Sequence, residues 1–77
     1  MGSSGDSVRT IQRQLNSVSN NYPRIQKLAV DGNFGQKTAD AVKTFQEIFD
    51  LPQTGYVDYK TWYEISKVYT AVMRLSG

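Results

Sequence analysis

The chain contains no cysteine and no histidine. Without cysteine there is no disulfide to staple a small domain, and no thiolate to attack a substrate or bind a metal. Without histidine, the commonest general base and the commonest zinc ligand are both missing. No apolar run approaches the roughly 20 residues that a membrane-spanning helix needs. The N-terminus has neither the basic patch nor the apolar core of a secretory leader. The sequence therefore reads either as a protein retained inside the cell or as a piece of a longer exported chain. Gly2-Ser3-Ser4-Gly5, after Met1, reads as a linker or a tag remnant over residues 1–5, which leaves residues 6–77 for a folded module.

Charge of one sign is also scarce. Nine Lys+Arg oppose seven Asp+Glu, a net +2, and the cations are spread from Arg9 to Arg74. They read as solvated faces rather than as one electrostatic footprint. A length of 77 residues suits one domain, and a domain of this size buries only about 60% of the surface its unfolded chain exposes.

What is present is helical periodicity. Val8, Ile11, Leu15 and Val18 recur at spacings of three and four, so they share a helix face. Asp6 or Ser7 stands where an N-cap belongs, and Tyr22-Pro23 forbids continuation beyond Ser19-Asn20-Asn21. In the connector from Arg24 to Gly35, Leu28 and Val30 alternate with polar neighbours and predict a short extended stretch pinned to the core. Asp31-Gly32 is a turn pair that predicts positive φ at Gly32. A second helix is expected from Gln36 to Asp50, with Thr38, Ala41, Val42, Phe45, Ile48 and Phe49 as its stripe, stopped by Leu51-Pro52. A third is expected after Asp58, a good N-cap, with Trp62, Ile65, Tyr69, Val72 and Leu75 inward and Gly77 closing the chain. Phe45 and Trp62 sit at the centres of these stripes and are expected to be buried.

The chain echoes itself. Gly32, Phe34, Lys37, Thr38 and Val42 pair at one offset with Gly55, Val57, Lys60, Thr61 and Ile65. A glycine turn, an apolar plug and a helix start are used twice. Two copies do not make a solenoid, but they predict pseudo-symmetric packing of the second and third helices.

Catalytic equipment is sparse. Asp6 and Asp58 read as caps, Asp31 as a turn former, and Asp40, Glu47 and Glu64 as exposed helix positions, which leaves no carboxylate pair for glycoside hydrolysis. A Ser or Thr nucleophile would have no histidine base. For nucleic acid, the connector from Pro52 to Val57 is longer than a helix-turn-helix allows, and no single helix is strongly basic. Tyr56, Tyr59 and Tyr63 lie close together, off the main stripe. They either cover the flank of a thin core or offer aromatic faces to sugar rings.

The run Asp31-Gly32-Asn33-Phe34-Gly35-Gln36-Lys37-Thr38, followed by Ala41-Val42 and Phe45-Gln46, resembles the peptidoglycan-binding domain family found beside bacterial cell-wall hydrolases. Gly5-x-x-Val8-x-x-Ile11-Gln12-x-x-Leu15-Asn16 resembles that family's opening, and Leu51-Pro52, Gly55-x-Val57 and Thr61-Trp62 its second loop and third helix. Thr54 and Asp58 depart from it, standing where many members have aspartate and a second glycine. The resemblance implies an all-α, compact three-helix bundle with two glycine-containing loops. It implies a bacterial, secreted, non-catalytic module without cofactor or metal, which binds peptidoglycan glycan strands and stem peptides at the cell wall or spore. A covalently linked catalytic domain, a monomeric state, and no nucleic-acid or membrane partner go with it. The alternative is a structural or protein-interaction module that kept the scaffold without wall binding.

Residue chemistry suggests where a ligand would sit. The first-turn N–H groups of Gln36, Lys37 and Thr38 lack intrahelical partners, and the helix dipole favours an anion there. Tyr56, Tyr59 or Tyr63 could stack on a sugar while keeping a hydroxyl in water. These six residues form the expected ligand surface. Otherwise the N–H groups are simply solvated and Lys37 is a surface lysine.

Overall fold

Val8, Ile11, Leu15 and Val18 line one side of helix α1 (Asp6–Ser19), and all four are completely buried. Helix α2 (Gln36–Ile48) buries Ala41, Val42 and Phe45 against them, and helix α3 (Tyr59–Ser76) adds Ile65 and Val72. The computed structural model describes residues 5–76, with side chains through residue 74. The expectations for residues 1–4, for Gly77 and for the Leu75 side chain lie outside the described residues. Three helices and no strand occur among the described residues, so the molecule is an all-α three-helix bundle. Its extents of 31 × 24 × 20 Å leave about two helix diameters in the shortest direction. Phe45 fills the centre and meets Phe49 at 4.5 Å between ring centroids, while Tyr22 closes edge-on against Phe49 at 5.2 Å.

The helix ends differ from the sequence expectation in physically readable ways. Neither Asp6 nor Ser7 caps α1. The helix begins at Asp6 itself, after Gly5, with no side-chain cap. Gly5 adopts φ 108°, its N–H donates to the Gly32 carbonyl at 2.9 Å, and its own carbonyl accepts from Arg9 N–H. Asp6 pairs instead with Arg9 at 3.1 Å. Helix α2 stops at Ile48 rather than Asp50. Asp50 turns left-handed (φ 59°), and Leu51 N–H reaches back to the Gln46 carbonyl at 2.7 Å, satisfying a carbonyl the helix end would orphan.

The connector contains no extended strand. Leu28 is buried, but Val30 is exposed and Ile25 is buried in its place. Backbone order there comes from Asn16, whose amide receives Leu28 N–H at 2.7 Å and donates to Leu28 O at 2.8 Å. Gly32 has φ 78°, as the Asp-Gly pair predicts, and Gly55 has φ 80°. A Cβ on Gly32 would lie 3.2 Å from the Arg9 guanidinium carbon and 3.3 Å from Gly5 O, so the turn also requires closeness.

Two expectations fail at α3. Trp62 is not core: it remains 41% exposed, whereas Thr61 beside it is 1% exposed. The buried stripe is Thr61, Ile65 and Val72, with Val68 and Tyr69 partly covered. The inward position goes to Thr61 because its hydroxyl accepts from the buried Gln46 amide at 3.1 Å. Trp62, one residue or about 100° further round the helix, is thereby swung to the flank. Nor do α2 and α3 pack symmetrically on one another. α1 packs chiefly on α3, less on α2, and α2 and α3 touch least.

Candidate functional site

The repeat seen in the sequence is a hydrogen-bonding device. Gln12 on α1 is 1% exposed, and its Oε1 accepts from Asp31 N–H at 3.1 Å and Gly32 N–H at 3.0 Å. Its Nε2 donates to Asp31 Oδ1, Asn33 O and Thr38 Oγ1 at 3.1–3.2 Å. Gln46 on α2 is fully buried and repeats the pattern one loop later. Its Oε1 accepts from Gly55 N–H at 3.0 Å, and its Nε2 donates to Thr54 Oγ1, Tyr56 O and Thr61 Oγ1, each at 3.1 Å. Each helix thus carries a buried amide that braces the loop leading to the next helix. A buried amide has to be satisfied, and these loops supply its partners. The apolar–glutamine pairs Ile11-Gln12 and Phe45-Gln46 were the sequence signal, but both glutamines lie where periodicity alone puts apolar residues.

The two loops deliver their helices differently. Asp58 caps α3, its Oδ1 accepting Thr61 N–H at 2.8 Å. At the matching place before α2 stands Gly35, with no side chain to cap, and the first bond of the helix is Ala39 N–H to Gly35 O at 3.0 Å. The N–H groups of Gln36, Lys37 and Thr38 precede that bond. They border a hollow of about 250 Å³ lined by Gln12, Leu28, Asp31, Asn33, Lys37 and neighbouring backbone. Asp31 is ionised at its back. Its carboxyl is held below the usual aspartate range, first by Asn33 N–H at 2.9 Å and then by the Gln12 amide. The Gln36 side chain folds onto Asp40 at 2.8 Å, and the Thr38 side chain is committed to Gln12.

The structure places Gln36, Lys37 and Thr38 at the hollow beside α2, and Tyr59 and Tyr63, four residues apart, on one side of α3. Tyr56, Tyr59 and Tyr63 are 61%, 82% and 57% exposed, and none lines the hollow at α2. Tyr59 borders a second hollow, of about 470 Å³, with Ser7, Val57, Asp58 and Trp62. Tyr63 borders a third, with Ser66, Lys67, Thr70, Ala71 and Arg74 along the outer side of α3.

A family model described as a peptidoglycan binding domain matches residues 4–65, four-fifths of the chain. The chain belongs to the peptidoglycan-binding domain family. The match runs from the start of α1, through both glycine loops, to Ile65 on α3, so it takes in both glutamine braces and the hollow at α2. Neither the curated proteins nor the solved structures yield a match. In this peptidoglycan-binding domain much of the motif is therefore architectural. Gly32 supplies the turn, Phe34 packs on the core, and Thr38 and Gln46 hold loops.

Proposed function

We propose that residues 6–77 form a non-catalytic module that binds bacterial peptidoglycan and holds a covalently linked wall-active enzyme on its substrate, with residues 1–5 as a linker. Membership of the family supports the ligand class. The absence of histidine and cysteine from the whole sequence supports binding without catalysis. The setting is extracellular, at the cell wall or spore, and the module acts as a monomer without cofactor, metal, membrane or nucleic acid.

The observation that carries the site is the uncapped start of α2. Gly35 provides no side chain for the Thr38 N–H, whereas Asp58 closes the matching Thr61 N–H at the start of α3. Gln36, Lys37 and Thr38 offer donors to the hollow, and the Asp31 carboxylate beside them offers an acceptor. Donors and an acceptor at one place fit the amides and carboxylate of a stem peptide. Lys37 adds the positive charge a free carboxylate needs. Tyr56, Tyr59 and Tyr63 are the aromatic faces proposed for the glycan. A site this shallow holds one repeat weakly, and the linked domain or repeated copies supply avidity.

Sedimentation with purified sacculi tests the function: the module should co-sediment, and a module that kept only the scaffold should stay in solution. An NMR titration with soluble muropeptides tests the site. Amide shifts should centre on Gln36, Lys37, Thr38 and Tyr56. If they centre on the outer face of α1 while these four stay still, the surface is misplaced.

A further inference from the structure

Trp62 has no role in the core of this small protein, and the structure leaves its indole on the surface at 41% exposure beside an 82% exposed Tyr59. An exposed Trp–Tyr pair is an unfavourable use of the two residue types that bury most area. Between them lies the hollow of about 470 Å³, floored by the buried Val57 and walled by Ser7 and Asp58. That volume suits a monosaccharide-sized group.

We propose that the hollow between Trp62, Tyr59, Asp58 and Ser7 is a saccharide subsite that takes one neutral N-acetylated pyranose of a glycan strand, stacked on the Trp62 indole. This rests on the peptidoglycan-binding reading above and adds to it which part of the polymer is held here and by which residues.

The chemistry of the walls makes the selection. A pyranose has apolar C–H faces and a rim of hydroxyl donors. Trp62 and Tyr59 match the faces, and Asp58 and Ser7 match the rim. Asp58 spends one oxygen on Thr61 N–H at 2.8 Å, and a carboxylate has about four acceptor positions. Capacity therefore remains for a sugar hydroxyl or an acetamido N–H. Among the described residues Asp58 is the one charged side chain lining the hollow, and it is held in its anionic form by the Thr61 N–H and hydroxyl. An anionic wall disfavours carboxylates and phosphates, although Lys60 lies near enough to act on Asp58, so a neutral sugar suits this hollow better than a stem peptide's acid groups. The hollow at α2 is of mixed charge instead. Lys37 and first-turn N–H groups line it together with the Asp31 carboxylate, and among the described residues no aromatic ring does. Two hollows of different chemistry thus divide the polymer between them, the sugar beside α3 and the peptide beside α2.

Trp62 is the sole tryptophan of the chain, so its emission, excited selectively over the five tyrosines, reports on this hollow. The test titrates the full chain with a peptide-free tetramer of N-acetylglucosamine and, separately, with a sugar-free stem peptide. Saturable change of the Trp62 emission with the tetramer, and none with the peptide, is the expected result. Trp62→Ala and Tyr59→Ala, followed by NMR, should each weaken tetramer binding about fivefold or more, the worth of one stacking contact. Tyr59→Ala should keep its melting temperature within a few degrees, and Trp62→Ala, which loses a partly covered ring, should still melt cooperatively, so lost binding is told apart from lost fold. Emission that ignores the tetramer, in a protein that still sediments with sacculi, overturns the subsite and leaves the binding reading standing. Failure to bind sacculi as well overturns both. Emission that shifts with protein concentration alone, together with a dimer in analytical ultracentrifugation, assigns the face to a second copy and also overturns the subsite.

Discussion

Gln12 and Gln46 organise more of this protein than any charged residue does. Each is a buried amide that uses both its oxygen and its nitrogen on one glycine loop. Removing such a group leaves buried donors and acceptors without partners, which costs more than the bonds themselves contribute. We expect Gln12→Ala to destabilise the protein by about 2–4 kcal/mol, from the lost packing volume and the orphaned Gly32 N–H together. Gln12→Glu, although isosteric, should cost at least as much near neutral pH, because its new oxygen faces the Asp31 carboxylate and the Asn33 carbonyl. Urea denaturation of both variants measures this. A Gln12→Ala midpoint equal to the parent's would show that the brace is dispensable. Periodicity did not reveal the braces, since a buried glutamine has the spacing of an apolar residue and only its partners show what it does.

At the scale of helices, the contrast between α2 and α3 is the informative one. Gly35 has an extended backbone (φ −100°, ψ −164°) that any residue adopts, and a Cβ there would meet nothing within 4 Å. Gly35→Asp should therefore reproduce the Asp58 cap and stabilise the fold by about 0.5–1 kcal/mol. It should also weaken muropeptide binding, because the carboxylate occupies the first-turn N–H groups and repels an anionic ligand. Thermal melts and the NMR titration read the two effects separately. A variant that is more stable and binds as before would remove the open helix start from the site.

Acid tests the loop and cap carboxylates. In the folded state Asp31 and Asp58 both lie below the ordinary aspartate value, mainly through backbone N–H groups of Asn33 and Thr61. A depressed folded pKa gives stability that is fully present above the unfolded value, about 4, and is lost as pH falls through the folded value. The melting temperature should hold steady from about pH 7 to about pH 5 and decline below about pH 4. Asp58→Asn, which keeps the cap but cannot titrate, should shallow that decline. A decline of unchanged depth in this variant would place the acid sensitivity elsewhere.

For the whole molecule, the thinness of the core decides how it fails. Phe45 is fully buried at the meeting of all three helices' side chains, and Phe45→Ala should cost about 3–5 kcal/mol. That is comparable with the entire stability of a domain this small, so the cooperative melt should largely disappear. Trp62→Ala, by contrast, should leave it in place. Differential scanning calorimetry of the pair checks both expectations, and a normal transition in Phe45→Ala would refute the assignment of the core.

Three helices, their approximate bounds, the left-handed Gly32 and the inward faces of α1 and α2 were all determined by the sequence itself, because local periodicity and turn chemistry act over a few residues. The repeated loop was legible as well, as an offset between two short motifs. Three outcomes belonged to tertiary structure alone. Thr61 faces inward and Trp62 outward because Gln46, fifteen residues earlier in the chain, reaches the hydroxyl. Gly5 rather than Asp6 opens α1 because its N–H bonds Gly32 across the fold. The connector is pinned because Asn16 on α1 bonds both the N–H and the carbonyl of Leu28. Spacing along a helix fixes angles to within one residue, about 100°. A polar contact from a distant element chooses between neighbouring residues, and that choice put the one tryptophan where a ligand can reach it.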